Sequence, residues 1–327
     1  MRRVLAAALV VALALSFAAC TNRRVIYERR TPVYLDTPQP DDERDWSVSG
    51  TATPETTPAP GNEGDVLPFE FTGYAYCVMN AGTGEILLGS NTTTRNYIAS
   101  ITKLMTVLTA LDWLPVNDNV KIGEGWLDFM KQNSGIDSFG LTEGTTCKVK
   151  DLISMALVRS FGDAAIVLGK AVEERSGRSM IDLMNAKART FGMTETHFDN
   201  VIGLDIGNDF TANYSTALDA AKLMQQALRS EVVMQACCGK DIRLSDGKVL
   251  DNTSAFLRDT HPGSNYTVLG GKTGYTKAAG SNLAVAASSN ITGTVFVVVY
   301  LHGAGMNTIG NEIDLMLEYL IAKEAAK

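Results

Sequence analysis

The stretch Ala99-Ser100-Ile101-Thr102-Lys103-Leu104-Met105-Thr106 decides how the rest of this chain is read. On a helix, residues three apart share a face, so the hydroxyl of Ser100 and the amine of Lys103 can enter one pocket. From Ser100 to Leu111 the pattern is apolar almost all round (Ile101, Leu104, Met105, Val107, Leu108, Leu111), which marks a buried central helix. A lysine on such a helix is kept out of water, and both burial and the positive end of the helix dipole disfavour its ammonium form. That same end of the dipole favours a serine alkoxide. The pair therefore reads as a nucleophile beside a base. A polar residue at a helix start with a lysine reaching along the helix to solvent satisfies the same spacing, so the decision rests on the other segments.

At 327 residues, 45% hydrophobic and 20% charged, the chain can bury a sizeable core. Its first 66 residues do not read as part of that core. Met1 to Cys20 carries Arg2 and Arg3, an apolar run from Val4 to Phe17, and then Ala18-Ala19-Cys20. Residues 1–20 thus read as a secretory signal, too short to span a membrane. A cysteine after two small residues suits lipid attachment at Cys20, so a lipoprotein leader is expected; an ordinary cleaved signal is the other reading. Residues 21–66 mix charges with Pro, Thr and Gly, as in Thr51-Ala52-Thr53-Pro54, and are expected to be a disordered tether. The folded domain is expected over 67–327, on the outer face of the membrane or in the cell envelope.

The net formal charge of −7 repels phosphate polymers, which argues against nucleic acid as a partner. Cys77, Cys147, Cys237 and Cys238 show no metal-ligand spacing, so neither a metal nor a cofactor is expected; disulfides and unpaired thiols both fit. His197, His261 and His302 are the only histidines, and none lies in a nucleophile-elbow context. A Ser-His-Asp hydrolase is set aside on that ground.

Along the domain, Tyr74 to Met79 and Glu85 to Leu88 read as a hairpin turning at Asn80-Ala81-Gly82-Thr83-Gly84. Residues 115–148 read as an irregular excursion that caps the pocket or joins a helical subdomain. Helical patterns follow at Val149 to Val158, Ala164 to Glu174, Met180 to Phe191 and Thr216 to Arg229, with Gly177 and Gly192 placed as C-terminal caps. After a hairpin turn at Asp246-Gly247 come strands at Thr267 to Thr273, Asn282 to Ala287 and Val295 to Tyr300, then a helix at Ile313 to Ala322. The expected fold is α+β: an antiparallel sheet built from both chain ends, flanked by helices, with an all-helical subdomain inserted between.

Two further polar clusters stand out. Arg159-Ser160-Phe161-Gly162-Asp163 separates two helices, with Asp163 placed to cap the second, so Ser160 sits at a corner that can point into a cleft. A plain turn serine fits as well. Gly270-Gly271-Lys272-Thr273-Gly274-Tyr275-Thr276 is a strand whose glycines let another backbone approach, with Lys272 as a charge for a carboxylate or for tuning a hydroxyl. A glycine-rich hairpin with solvated Lys and Thr is the plainer alternative.

In order and separation, these clusters resemble the serine D-alanyl-D-alanine carboxypeptidases, the low-molecular-weight penicillin-binding proteins. Gly192-Met193-Thr194-Glu195-Thr196-His197-Phe198 and Tyr214-Ser215-Thr216-Ala217 also look like that family, and the likeness covers roughly residues 68 to 320. The resemblance implies a β-lactamase/transpeptidase-like fold and removal of the terminal D-alanine from peptidoglycan stem peptides ending in D-Ala-D-Ala. β-Lactams would be covalent inhibitors. It gives Ser100 the nucleophile's role and Lys103 that of general base. Ser160 with Lys272 would pass a proton to the leaving D-alanine. Gly162, Thr273, Gly274, Tyr275 and Thr276 would line the substrate, with the N–H groups of Ser100 and Tyr275 as the oxyanion hole.

One motif departs from the family. Where the family reads Ser-x-Asn, this chain reads Ser160-Phe161-Gly162, so the amide that would bind substrate and steady Lys103 is missing. Loss of a positioned donor commonly costs ~10²-fold or more in rate, so a low-turnover penicillin-binding or sensing protein is one rival. The other is a class A-like β-lactamase, although no Glu-x-x-x-Asn stands between the second and third motifs. Family members often continue into a second β domain and an amphipathic anchor; here the anchoring task is expected to fall to Cys20.

Overall fold

The computed structural model describes residues 71–133, 135–205, 212–252, 254–259 and 261–326. Cys20, the leader and the tether over 21–66 lie outside the described residues. Strands β1 (Ala75–Asn80) and β2 (Ile86–Ser90) form the expected hairpin, and Asn80 Oδ1 accepts from the N–H groups of Gly82 and Thr83 to fix its turn. A single 3₁₀ turn over Ala99–Ile101 leads into α1 (Thr102–Ala110), every residue of which is buried. The excursion is less irregular than its composition suggests. Strand β3 (Asn119–Lys121) pairs with β4 (Thr146–Lys148), so the segment returns to its point of departure, with α2 (Asp128–Gln132) between them.

The helical region continues with α3 (Val149–Val158), α4 (Gly162–Ser176), α5 (Met180–Thr190), α6 (Ala217–Ala227) and α7 (Glu231–Cys237). Ser179, Thr216 and Ser230 cap three of these helices by accepting an N–H three residues on. Gly177 ends α4 in the left-handed conformation, as expected. A two-residue ribbon, β5 (Ile242–Arg243) with β6 (Val249–Leu250), and the short α8 (Ala255–Arg258) bring the chain back to the sheet.

Strands β7 (Tyr266–Thr276), β8 (Gly280–Ser289) and β9 (Val295–Gly303) then join the first hairpin in an antiparallel sheet of order β2-β1-β9-β8-β7. The central strand, Val295-Phe296-Val297-Val298-Val299-Tyr300, is buried on both faces because the sheet divides two cores. Val297 and Val299 face the helical region with Cys77, Met79, Ala284 and Ala286. Phe296, Val298 and Tyr300 face α9 (Met306–Ala325), which lays Ile309, Ile313, Met316, Leu317, Leu320 and Ile321 on the sheet. That helix starts seven residues before the expected Ile313, since Asn307, Asn311 and Glu312 interrupt its apolar stripe. Buried Glu312 accepts from the Tyr300 hydroxyl and from Thr72.

Candidate active site

The 3₁₀ turn sets Ser100 at the foot of α1, and Lys103, one turn on, donates from Nζ to Ser100 Oγ at 2.8 Å and to the carbonyl of Ile202 at 2.9 Å. Lys103 is buried. Desolvation first, then the charge of Lys272, hold its pKa well below the ordinary lysine value of 10.5, with Asp137 opposing them. A lysine in that state presents a lone pair to the hydroxyl beside it.

Ser160 occupies the corner between α3 and α4 in the left-handed conformation, at φ 61°. Lys272, from the middle of β7, donates to Ser160 Oγ at 3.0 Å and to the Thr273 carbonyl at 2.9 Å. Burial pushes Lys272 down to about 8, against the pull of Cys237 and Asp137. Ala99, immediately before Ser100, also has a positive φ, of 46°. Non-glycine residues in that region cost ~1–3 kcal/mol each, so backbone strain lies at both serines.

The edge strand β7 runs directly past Ser100. A Cβ on Gly274 would lie 2.6 Å from the Ile98 carbonyl oxygen and 3.2 Å from the Ser100 nitrogen, so glycine is what permits the approach. Tyr275 is 70% exposed, and Thr273 is partly exposed. Thr276 Oγ1 donates to Asp205 and accepts from Ala279 N–H at the hairpin end. The Ser100–Lys103 and Ser160–Lys272 pairs thus share one site bordered by Thr273 to Thr276.

The second motif differs from its sequence reading in two respects. Asp163 is not the N-cap residue of α4: it stands in the first turn, buried, and its carboxylate accepts from the Ala164 N–H of that turn, from Ser138 Oγ and from the N–H groups of Phe139, Gly140 and Leu141. The carboxylate thereby ties the neighbouring loop to the first turn of the helix. Gly162, expected to line the substrate, is buried and gives its N–H to the Asp137 carbonyl at 2.8 Å.

Sequence reasoning missed the floor of the site. Asn200 Oδ1 accepts from the N–H groups of Ile202, Gly203 and Leu204, while Asn213 Oδ1 accepts from those of Asp199 and Asn200. Asn213 Nδ2 reaches the Asn200 carbonyl and Thr102 Oγ1. The two amides present Ile202 to Lys103. Asp205, raised above the usual carboxylate value by desolvation, ends the described part of this loop at Thr276. Cys77 and Cys237 are buried free thiols, each pushed up to about 12 by desolvation. Among the described residues, no helix is long and apolar enough to cross a membrane.

A family model described as D-alanyl-D-alanine carboxypeptidase matches residues 63–302. The D-alanyl-D-alanine carboxypeptidase DacC of Escherichia coli is 32% identical over 232 residues, covering 69% of this chain and 56% of that protein. DacB2 of Mycobacterium tuberculosis is 28% identical over 228 residues, covering 69% of this chain and 74% of that one. The chain spans about half the length of the E. coli carboxypeptidases DacC and DacD. A crystallised D-alanyl-D-alanine carboxypeptidase from M. tuberculosis shares the fold with a TM-score of 0.67 at 24% identity, over 82% of this chain and 96% of that one. A Streptomyces DD-transpeptidase gives 0.65 at 25% identity, over 76% and 97%.

Proposed function

The chain belongs to the D-alanyl-D-alanine carboxypeptidase family, and from that premise we propose that it is a serine DD-carboxypeptidase acting on peptidoglycan stem peptides outside the cytoplasmic membrane. Ser100 Oγ attacks the carbonyl carbon between the two terminal D-alanines and passes its proton to neutral Lys103. The N–H groups of Ser100 and Tyr275 hold the resulting oxyanion. The C–N bond then breaks as the Ser160–Lys272 pair protonates the departing amine, and water hydrolyses the Ser100 ester. Thr273 and Gly274 carry the peptide along the free edge of β7, with Thr273 near its carboxylate.

The observation that carries this reading is the 2.8 Å contact of a buried, depressed lysine with Ser100, beside the second Lys–Ser pair at 3.0 Å. The test is mass spectrometry after penicillin treatment, run beside release of D-alanine from a peptide ending in D-Ala-D-Ala. One β-lactam mass that vanishes in Ser100→Ala, together with D-alanine release, supports the proposal. An adduct that persists in the variant overturns the nucleophile. An adduct without D-alanine release makes the protein a binder, the reading favoured by the absent amide at Gly162, and rapid cephalosporin turnover makes it a β-lactamase.

The proposed anchor is a lipid on Cys20, with residues 21–66 as tether and 67–327 as the catalytic domain. This reading rests on the leader sequence. Incorporation of labelled palmitate that Cys20→Ala abolishes would support it; equal labelling of the two would end it.

A further inference from the structure

Strand β9 carries one residue more than the strand it pairs with. Ser281 stands opposite Gly303 and Leu283 opposite Tyr300, so Leu301 and His302 together face the single residue Asn282. Such a bulge leaves the backbone of the extra residue without a ladder partner and re-aims what lies beside it. His302 is in the left-handed conformation, at φ 56°, and its N–H turns to Asn282 Oδ1 at 2.8 Å. Asn282 is fully buried, and from its other end Nδ2 donates to the Tyr97 carbonyl at 3.1 Å. Because His302 needs an acceptor and Tyr97 a donor, one orientation of the amide serves both.

Tyr97 leads into the turn that carries Ser100. The next carbonyl, that of Ile98, opens the 3₁₀ turn by accepting from Ile101 N–H at 3.2 Å, and it is the atom against which Gly274 is pressed. Gly274 is the register partner of Asn282 on β7. Facing positions of two adjacent strands therefore hold two successive carbonyls, one by close packing and one by a hydrogen bond. The Ser100 nitrogen lies two residues beyond, 3.2 Å from where a Cβ on Gly274 would be.

We infer that Asn282 is a positioning residue for the Ser100 N–H, its buried amide joining the β9 bulge to the chain that enters the 3₁₀ turn. This rests on the proposed acylation of Ser100, in which that N–H holds the oxyanion. A bond to the oxyanion reaches full strength only in the transition state, so a displaced donor slows the chemical step and leaves the first encounter with the ligand alone. A side chain at 282 with no polar end frees both the Tyr97 carbonyl and the His302 N–H, and the turn then rests on β7 by packing alone.

Labelling by a fluorescent penicillin over a range of concentrations separates the noncovalent dissociation constant, K, from the acylation rate constant, k2. Both describe only molecules able to label, so an unfolded fraction lowers the amplitude and neither constant. Asn282→Ala removes the amide, and Asn282→Leu removes it while filling the space that alanine vacates. In each, k2 should fall by ~10- to 10²-fold. K should stay within about twofold of the wild type. A residue that only braced the sheet would lower the melting temperature and leave k2 at its wild-type value, and that result overturns the inference. A loss carried by K with k2 unchanged overturns it as well, since it places Asn282 behind the ligand-binding edge of β7 and not behind the oxyanion donor. A wild-type chain that takes no label at Ser100 fails the proposed function first, whereas unchanged k2 beside a wild type that labels fails this inference alone.

Discussion

Lys103 and Lys272 are two buried amines of one site, each on its own serine, and the charge of Lys272 adds to desolvation in holding Lys103 down. The two are thus driven to different protonation states. Lys103, held well below its ordinary value, is the amine that the proposed mechanism uses as acceptor for the Ser100 proton, while Lys272, held at about 8, stays cationic at neutral pH. Groups pushed apart in this way can divide the roles of base and acid between them.

That division fixes a pH profile. The penicillin acylation rate should climb as Lys103 loses its proton and fall again near pH 8 as Lys272 loses its own. In Lys272→Arg the guanidinium stays charged, so the alkaline fall should disappear even though the peak rate drops. Stopped-flow labelling from pH 5 to 10 reads both limbs. A fall near pH 8 that survives in the variant would detach it from Lys272.

The same burial costs stability. Lys272 titrates at about 8 in the folded protein against an ordinary 10.5, so below pH 8 folding must hold a desolvated cation. Lys272→Met should raise stability by about 1–3 kcal/mol at pH 7 while abolishing acylation, the mark of a residue kept for chemistry. Since the unfolded chain binds more protons than the folded one between pH 8 and 10.5, wild-type stability rises across that window and the gap to the variant closes. Thermal melts at pH 7, 9 and 10.5 test this.

What was legible in the sequence depended on locality. Ser100 and Lys103 lie within one helical turn, and Lys272, Thr273 and Gly274 on one strand, so a fixed period carries each group to its place. The strands of both chain ends were visible because β9 is a run of β-branched residues. Asn200, Asn213 and Asp137 were not legible. They are short polar residues in loops rich in Gly, Asn and Asp, a composition shared by any turn, and each works through a backbone that tertiary packing brings in. Asp163 was misread for the same reason, because its partners Ser138 to Leu141 lie more than twenty residues earlier.

Gly274→Ala should separate binding machinery from nucleophile. The new Cβ would meet the Ile98 carbonyl at 2.6 Å, and a backbone atom in a 3₁₀ turn has nowhere to go, so β7 must shift off the turn carrying Ser100. An acylation rate lower by ~10²-fold is expected, since misplacement by an ångström costs that much. Stability should fall by only about 1–3 kcal/mol. Labelling kinetics at wild-type speed, in a variant that melts normally, would mean that β7 does not position the reaction.

Asn200→Ala tests the floor. Its Oδ1 satisfies three N–H groups in succession, those of Ile202, Gly203 and Leu204, and its Nδ2 donates to the Leu204 carbonyl at 2.9 Å. Gly203, at φ 83°, packs against the Ala99 carbonyl so closely that no Cβ could stand there, which ties this loop to the strained residue before Ser100. Truncation orphans several buried groups at once and should cost about 2–4 kcal/mol in denaturant unfolding. Because Ile202 then no longer presents its carbonyl to Lys103, the acylation rate should fall as well. Asn200→Asp keeps the acceptor that gathers the three N–H groups and loses only the Nδ2 donor. If the loop acts through the fixed Ile202 carbonyl, Asp should restore most of the rate that Ala removes; an equal loss in both would move the positioning of Lys103 elsewhere.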